Sequence, residues 1–164
     1  MKKLLIIISV IGMCLMTGCA KKESSKIGIG ESMDKIRGVY KSPHITLNAV
    51  SVFRDGEDFV VVIEENQAAS GIIVFSSNGK LLHAEKIVPI NDGNIKEFLG
   101  KSIENLRSQY GGIHCDIGSG FYIPAYITDY ATIIFFQIED NMIRSISSMN
   151  IITKSTTRLC SIDD

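Results

Sequence analysis

Two stretches of this chain are versions of each other. Residues 29–40 (Ile-Gly-Glu-Ser-Met-Asp-Lys-Ile-Arg-Gly-Val-Tyr) align without a gap to residues 99–110 (Leu-Gly-Lys-Ser-Ile-Glu-Asn-Leu-Arg-Ser-Gln-Tyr), an offset of 70. Gly, Ser, Arg and Tyr recur identically, while Met33/Ile103, Asp34/Glu104 and Ile36/Leu106 keep their chemical type. A repeat of this kind means one supersecondary unit used twice, which excludes most single-copy architectures at once. In each copy the apolar residues fall at i, i+3 and i+7 (Met33, Ile36, Tyr40; Ile103, Leu106, Tyr110), the spacing of one helix face. Ser32 and Ser102 stand at the N-cap position, and Asp34 and Glu104 place negative charge in the first turn, against the exposed amide end.

Strand-like sequence follows each helix. In the first half, 58–64 and 72–75 are apolar runs, and Asn78-Gly79 leads on to 80–88. Asn-Gly between apolar runs predicts a type I′ hairpin. In the second half, 121–128 and 133–138 run into Asp140-Asn141 and then 142–152. If the two turns are equivalent, their offset of 62 means that the first half carries about eight more residues between helix and hairpin.

The N-terminus reads as an address. Lys2 and Lys3 precede an uncharged apolar stretch, residues 4–16. As a helix it spans about 20 Å, short of the roughly 30 Å hydrocarbon core. The stretch ends in Leu15-Met16-Thr17-Gly18-Cys19, similar to the lipobox of bacterial lipoproteins, in which a small residue precedes the cysteine that receives the lipid. The expectation is a signal peptide over 1–18, lipidation of Cys19, and a polar tether over 19–26 holding the protein on the outer side of a cell membrane or on an outer membrane. Two acyl chains on one cysteine suffice for stable anchoring.

A lipobox followed by a duplicated Gly-x-Ser-x-acid-x-apolar helix and antiparallel strands resembles the tandem-repeat fold of the β-lactamase inhibitory protein. It is also similar to the small outer-membrane assembly lipoproteins of the SmpA/OmlA type, which have one such unit. The resemblance implies an α+β protein of two tandem units, 27–93 and 94–164, each a short helical element packed on an antiparallel sheet of about four strands. It implies binding of a partner protein through the other sheet face or its loops. No partner-contact motif of those families matches here residue by residue, and both cysteines outside the signal and lipobox fall in the second half.

Seventeen basic against 18 acidic residues offer no basic surface for a phosphate backbone, so nucleic acid is not an expected partner. With Cys14 in the signal and Cys19 lipidated, Cys115 and Cys160 remain as a candidate disulfide, the alternative being two unbonded thiols. His114-Cys115-Asp116 is the one segment that suggests catalysis. In an extended chain, however, neighbours point to opposite faces, and no spacing elsewhere supplies metal or nucleophile partners. No cofactor, metal or catalytic residue is therefore assigned. A thiol-active or hydrolytic enzyme using Cys115 and His114 is the rival class. Gly28-Ile29-Gly30 and Gly118-Ser119-Gly120 lack the Lys-Ser/Thr of a phosphate loop and read as turns.

Tyr122 and Tyr126, four apart in an extended segment broken by Pro124, read as core edge or as a rigid contact patch. Ideal pairing across Asn78-Gly79 puts Phe75 opposite Leu82, Ile73 opposite Ala84, Val74 opposite His83 and Ile72 opposite Glu85. Across Asp140-Asn141 it puts Gln137 opposite Arg144 and Phe135 opposite Ile146. The mixed faces so formed suggest a wet, non-obligate interface on the side of the sheets away from the helices. Tyr122, Tyr126, His83, Phe135 and Arg144 are its candidate contacts. The functional expectation is a membrane-anchored, non-catalytic protein-binding module with an inhibitory, assembly or scaffold role.

Overall fold

The computed structural model describes residues 26–163. The signal segment, Cys14, the lipobox with Cys19 and nearly all of the tether lie outside that range. The described chain is mixed α and β: two short helices and two antiparallel sheets of five strands each. Helix α1 (Met33–Tyr40) is followed by β1 (Ile45–Leu47), β2 (Val50–Asp55), β3 (Asp58–Glu65), β4 (Ala68–Phe75) and β5 (Leu81–Glu85). After a 3-10 turn at Ile95–Phe98, α2 (Ile103–Tyr110) leads into β6 (Cys115–Asp116), β7 (Pro124–Ile127), β8 (Thr132–Glu139), β9 (Met142–Asn150) and β10 (Thr156–Ser161). Each sheet is a plain meander, with strands lying side by side in chain order. Five strands replace the expected four. In the first half β1 and β2 were not anticipated, and in the second half β6 and β10 are additions at the two sheet edges.

The Gly-x-Ser segment has a clear physical task in both halves. Before α1, Gly30 N–H donates to the Ala69 carbonyl (2.8 Å), Ala69 N–H to Glu31 (2.9 Å) and Met33 N–H to Gln67 (3.0 Å). Before α2 the same three bonds recur: Gly100 to Ile143 (2.9 Å), Ile143 to Lys101 (2.9 Å) and Ile103 to Asn141 (3.1 Å). The segment is a strap across the tip of a hairpin. Gly30 and Gly100 sit at φ +84° and +74°, where a side chain would be strained. Ser32 caps α1 by accepting from Lys35 N–H (3.3 Å), whereas Ser102 occupies the N-cap position without a side-chain bond.

The strapped hairpins are β3–β4 and β8–β9, joined by Asn66-Gln67 and Asp140-Asn141. All four turn residues have positive φ, as a type I′ turn requires. Asp140-Asn141 thus matches Asn66-Gln67, not Asn78-Gly79. It is the second half that is longer between helix and hairpin, the reverse of the expectation. Asn78 does not have positive φ. Only Gly79 does (+83°), in a longer 76–80 turn closed by Ser76 N–H to the Lys80 carbonyl (2.9 Å).

Both hairpins are also bulged at the same place, between Ile63/Glu64 and between Gln137/Ile138. The second bulge moves the register by one, so Gln137 faces Ser145 and Phe135 faces Ser147 rather than Arg144 and Ile146. A further shift at Val74/Phe75 puts Phe75 opposite Leu81 rather than Leu82. The expected pairs Ile73–Ala84, Val74–His83 and Ile72–Glu85 hold.

Packing gives the largest correction. The faces away from the helices are not surfaces but the main core. Val50, Val52, Phe59, Val61, Ile63, Ile73 and Phe75 of the first sheet pack with Ala125, Ile127, Ile133 and Cys115 of the second. Each outer face carries its helix. Met33, Ile36 and Tyr40 pack on Phe53, Val60, Val62 and Ile72, while Ile103 and Leu106 pack on Tyr126, Ile134, Phe136 and Ile146. The layers run helix, sheet, sheet, helix. Polar bonds tie the halves as well, since the His44 ring Nε2 lies 3.2 Å from the Ile152 carbonyl. The linker joins in too: Ile90 N–H donates to the Ile127 carbonyl (3.0 Å) and Asp129 N–H to Ile90 (3.1 Å).

Candidate functional site

The five expected contact residues do not converge. Tyr126 is fully buried under α2, with its hydroxyl donating to the Gly111 carbonyl (2.6 Å), and burial pushes its pKa up to about 12. It is a core residue with no ring surface left to offer. Phe135 packs against the core between the sheets, so its face is also occupied. His83 lies on the edge strand β5, its Nε2 4.0 Å from Glu85. Arg144 is the bulge residue of β9 and pairs with Glu139 at 3.2 Å. Only Tyr122 stands on a surface built to present it.

That surface is the 117–123 loop between β6 and β7. Asp116 closes its base: one carboxylate oxygen accepts from Gly118 N–H (2.9 Å) and from Ile123 N–H (2.8 Å). Ile117 N–H donates to the Ile123 carbonyl (2.9 Å). A Cβ on Gly118 would run into the Phe121 carbonyl, so the loop closes this tightly only with glycine there. On this frame Phe121 is 69% and Tyr122 49% exposed. Arg107, on the last turn of α2, donates from Nη2 to the Tyr122 hydroxyl (3.2 Å) and from Nη1 to Glu104 (2.8 Å). Two aromatic rings and a guanidinium on a hydrogen-bonded frame are the side-chain types that dominate binding energy at protein interfaces. Of this group the sequence pointed to Tyr122 alone; Phe121 was expected in a strand that in fact begins at Pro124, and Asp116 was read only as part of a possible catalytic segment. The role of Gly118 became readable only from the loop it closes.

His114 and Cys115 serve separate surroundings. The His114 Nδ1 accepts from Ile127 N–H (3.0 Å), and the ring bonds the Val88 carbonyl on its other side, lying 4.9 Å edge-on from Tyr126. Desolvation lowers its pKa to about 4, so the ring is neutral at pH 7. Cys115 lies on the other side of the sheet, in the core between the two sheets, where burial and then the Asp116 charge push its thiol up to about 12. A thiol so placed stays protonated and is a poor nucleophile.

The disulfide expectation is also corrected. Cys115 and Cys160 sit on the opposite edge strands β6 and β10, four strand spacings or about 19 Å apart. Bonded half-cystines need Cα atoms within about 7 Å. Among the described residues no group of three or more His, Cys, Asp or Glu side chains could hold a metal ion, and no helix is long and apolar enough to cross a membrane. Compared with known proteins, the chain matches no family model, no curated protein and no solved structure.

Proposed function

We propose that this chain is a lipid-anchored, extracytoplasmic lipoprotein that acts as a non-catalytic protein-binding module, with the 117–123 loop as its contact surface. The observation that carries the reading is the pairing of a closed, hydrogen-bonded loop base with two exposed aromatic rings at its tip. Ordering a loop in advance lowers the entropy lost on binding, and exposed Phe and Tyr then contribute contact area at little further cost. The resemblance to tandem β-lactamase-inhibitory-protein-like repeats supports a binding role and a reading of the two units as copies of one repeat. The contact differs from the one that resemblance implies, because the sheet faces away from the helices are already packed together.

The test uses full-length protein purified from its own membranes and a pull-down scored by mass spectrometry. Phe121→Ala and Tyr122→Ala should each weaken capture of a specific partner by about tenfold or more. Undiminished capture by the folded double variant would remove the loop as the contact. The same preparation tests the anchor: the N-terminal peptide should begin at a diacylglyceryl Cys19, and an unmodified chain starting at Met1 would contradict it.

A further inference from the structure

Asn78-Gly79 is the only Asn-Gly step in the sequence. Glycine after asparagine leaves the side-chain amide open to attack by the next backbone nitrogen, because no Cβ shields that nitrogen. The 76–80 turn engages both groups that would have to meet. The nucleophile, the Gly79 nitrogen, donates its hydrogen to the Ser76 carbonyl (2.9 Å), and Gly79 is buried. The electrophile, the Asn78 amide, is held by its oxygen: Oδ1 accepts from the Ser76 hydroxyl (2.6 Å) and from Lys80 N–H (3.4 Å). Ser76 Oγ also accepts from Lys80 N–H (3.1 Å), and Ser76 N–H donates to the Lys80 carbonyl (2.9 Å), so the turn is closed on itself.

The turn also stands where the two units meet. A side-chain carbon placed on Gly79 would come within 3.4 Å of Ile152 and 3.6 Å of Ala131, which leaves the turn little room on that side. Swinging the Asn78 amide carbon onto the Gly79 nitrogen therefore means breaking the Gly79–Ser76 and Ser76–Asn78 bonds together, against a neighbouring unit that restricts the movement. In an unfolded chain none of these restraints exists.

We propose that Asn78 is a deamidation site that the folded turn holds shut and that opening of the turn releases. In the reaction the Gly79 nitrogen gives up its proton to water or hydroxide and bonds Asn78 Cγ. The Cγ–Nδ2 bond breaks, and the nitrogen leaves as ammonia after taking up a proton. Water then hydrolyses the cyclic imide at either carbonyl, giving aspartate or isoaspartate. The isoaspartate form routes the backbone through Cβ and Cγ, lengthening a turn that now fits its surroundings closely. Each opening that ends in reaction leaves a permanent mark at the contact between the units.

The test follows the peptide containing Asn78 by mass spectrometry in full-length protein, held in detergent micelles at mildly alkaline pH with and without denaturing guanidinium chloride. Conversion should be at least about tenfold slower in the folded protein. Ser76→Ala removes the hydroxyl bonds and should speed conversion in the folded protein by about threefold or more, with the rate in denaturant unchanged. Hydrogen exchange gives a readout on the unaltered chain. The protection factor of the Gly79 amide should match the slowing of deamidation, since one opening frees both. Equal rates in folded and unfolded protein would overturn the proposal. So would a Gly79 amide that exchanges freely while Asn78 stays intact, or a folded Ser76→Ala variant that converts no faster than the parent.

Discussion

At His114 the imidazole stands in the gap between the interdomain linker and β7 and does the work of a peptide unit, accepting from Ile127 N–H on one side and bonding the Val88 carbonyl on the other. That service requires a neutral ring, because a proton on Nδ1 would face the Ile127 donor. The folded pKa of about 4 lies below the unfolded value near 6.5. As pH falls, the unfolded chain therefore takes up the proton first. Stability from this group is whole above pH 6.5, declines through the window from about 6.5 to 4, and declines no further below it. The loss is about 3 kcal/mol across that window. Urea melts at pH 7, 5.5 and 4 should show it, and His114→Gln should flatten this part of the acid limb. Cys115 offers a second residue-scale check. With its thiol pushed up to about 12 and buried, iodoacetamide at neutral pH should leave it unmodified in the native protein and alkylate it in urea, as read by peptide mass spectrometry.

Helices α1 and α2 present equivalent first and central positions to their sheets, Met33/Ile103 and Ile36/Leu106 all being buried, while at the third position Tyr40 is buried and Tyr110 only partly so. Ile36→Ala and Leu106→Ala should each cost about 2–5 kcal/mol in denaturant melts. A large loss in one with none in the other would break the equivalence. Gly118→Ala should force the 117–123 loop open, costing about 1–3 kcal/mol and moving the Phe121 and Tyr122 resonances while the sheets stay intact. Both helices were legible in sequence, since apolar spacing, an N-cap serine and a first-turn acid all agree at Met33–Tyr40 and Ile103–Tyr110. The Asp140-Asn141 turn was legible for a similar reason. Its counterpart Asn66-Gln67 was not, because glutamine seldom marks a left-handed position, whereas Asn78-Gly79 carried the stronger signal for the β4–β5 hairpin, which forms but is not the one equivalent to β8–β9. The bulges left no local mark at all. They arise where the hairpin bends under its strap, and a single extra residue in β9 turned the expected pairs onto opposite faces.

Across the whole molecule the decisive contact is sheet against sheet, and part of its signal was present in β3. Phe59 to Ile63 is an unbroken apolar run, buried at every position, the pattern of a strand covered on both sides rather than one with a face left for solvent. The mixed character of β8 and β9 pointed the other way, toward an open face. What no single segment could carry is that each unit is the lid of the other. Heating or denaturant should therefore give one cooperative transition reported alike by probes in either half. Two separable transitions would mean that the shared core contributes little. That core also constrains what happens between molecules. Each unit's inner face is complementary to the other unit's, and the only covalent link is the short run between β5 and the Ile95–Phe98 turn. When two chains refold side by side at high concentration, the first unit of one can close on the second unit of its neighbour and rebuild the same core twice. The resulting exchanged dimer needs no new surface, and shortening or stiffening the stretch around Lys86–Pro89 would shift the balance toward it.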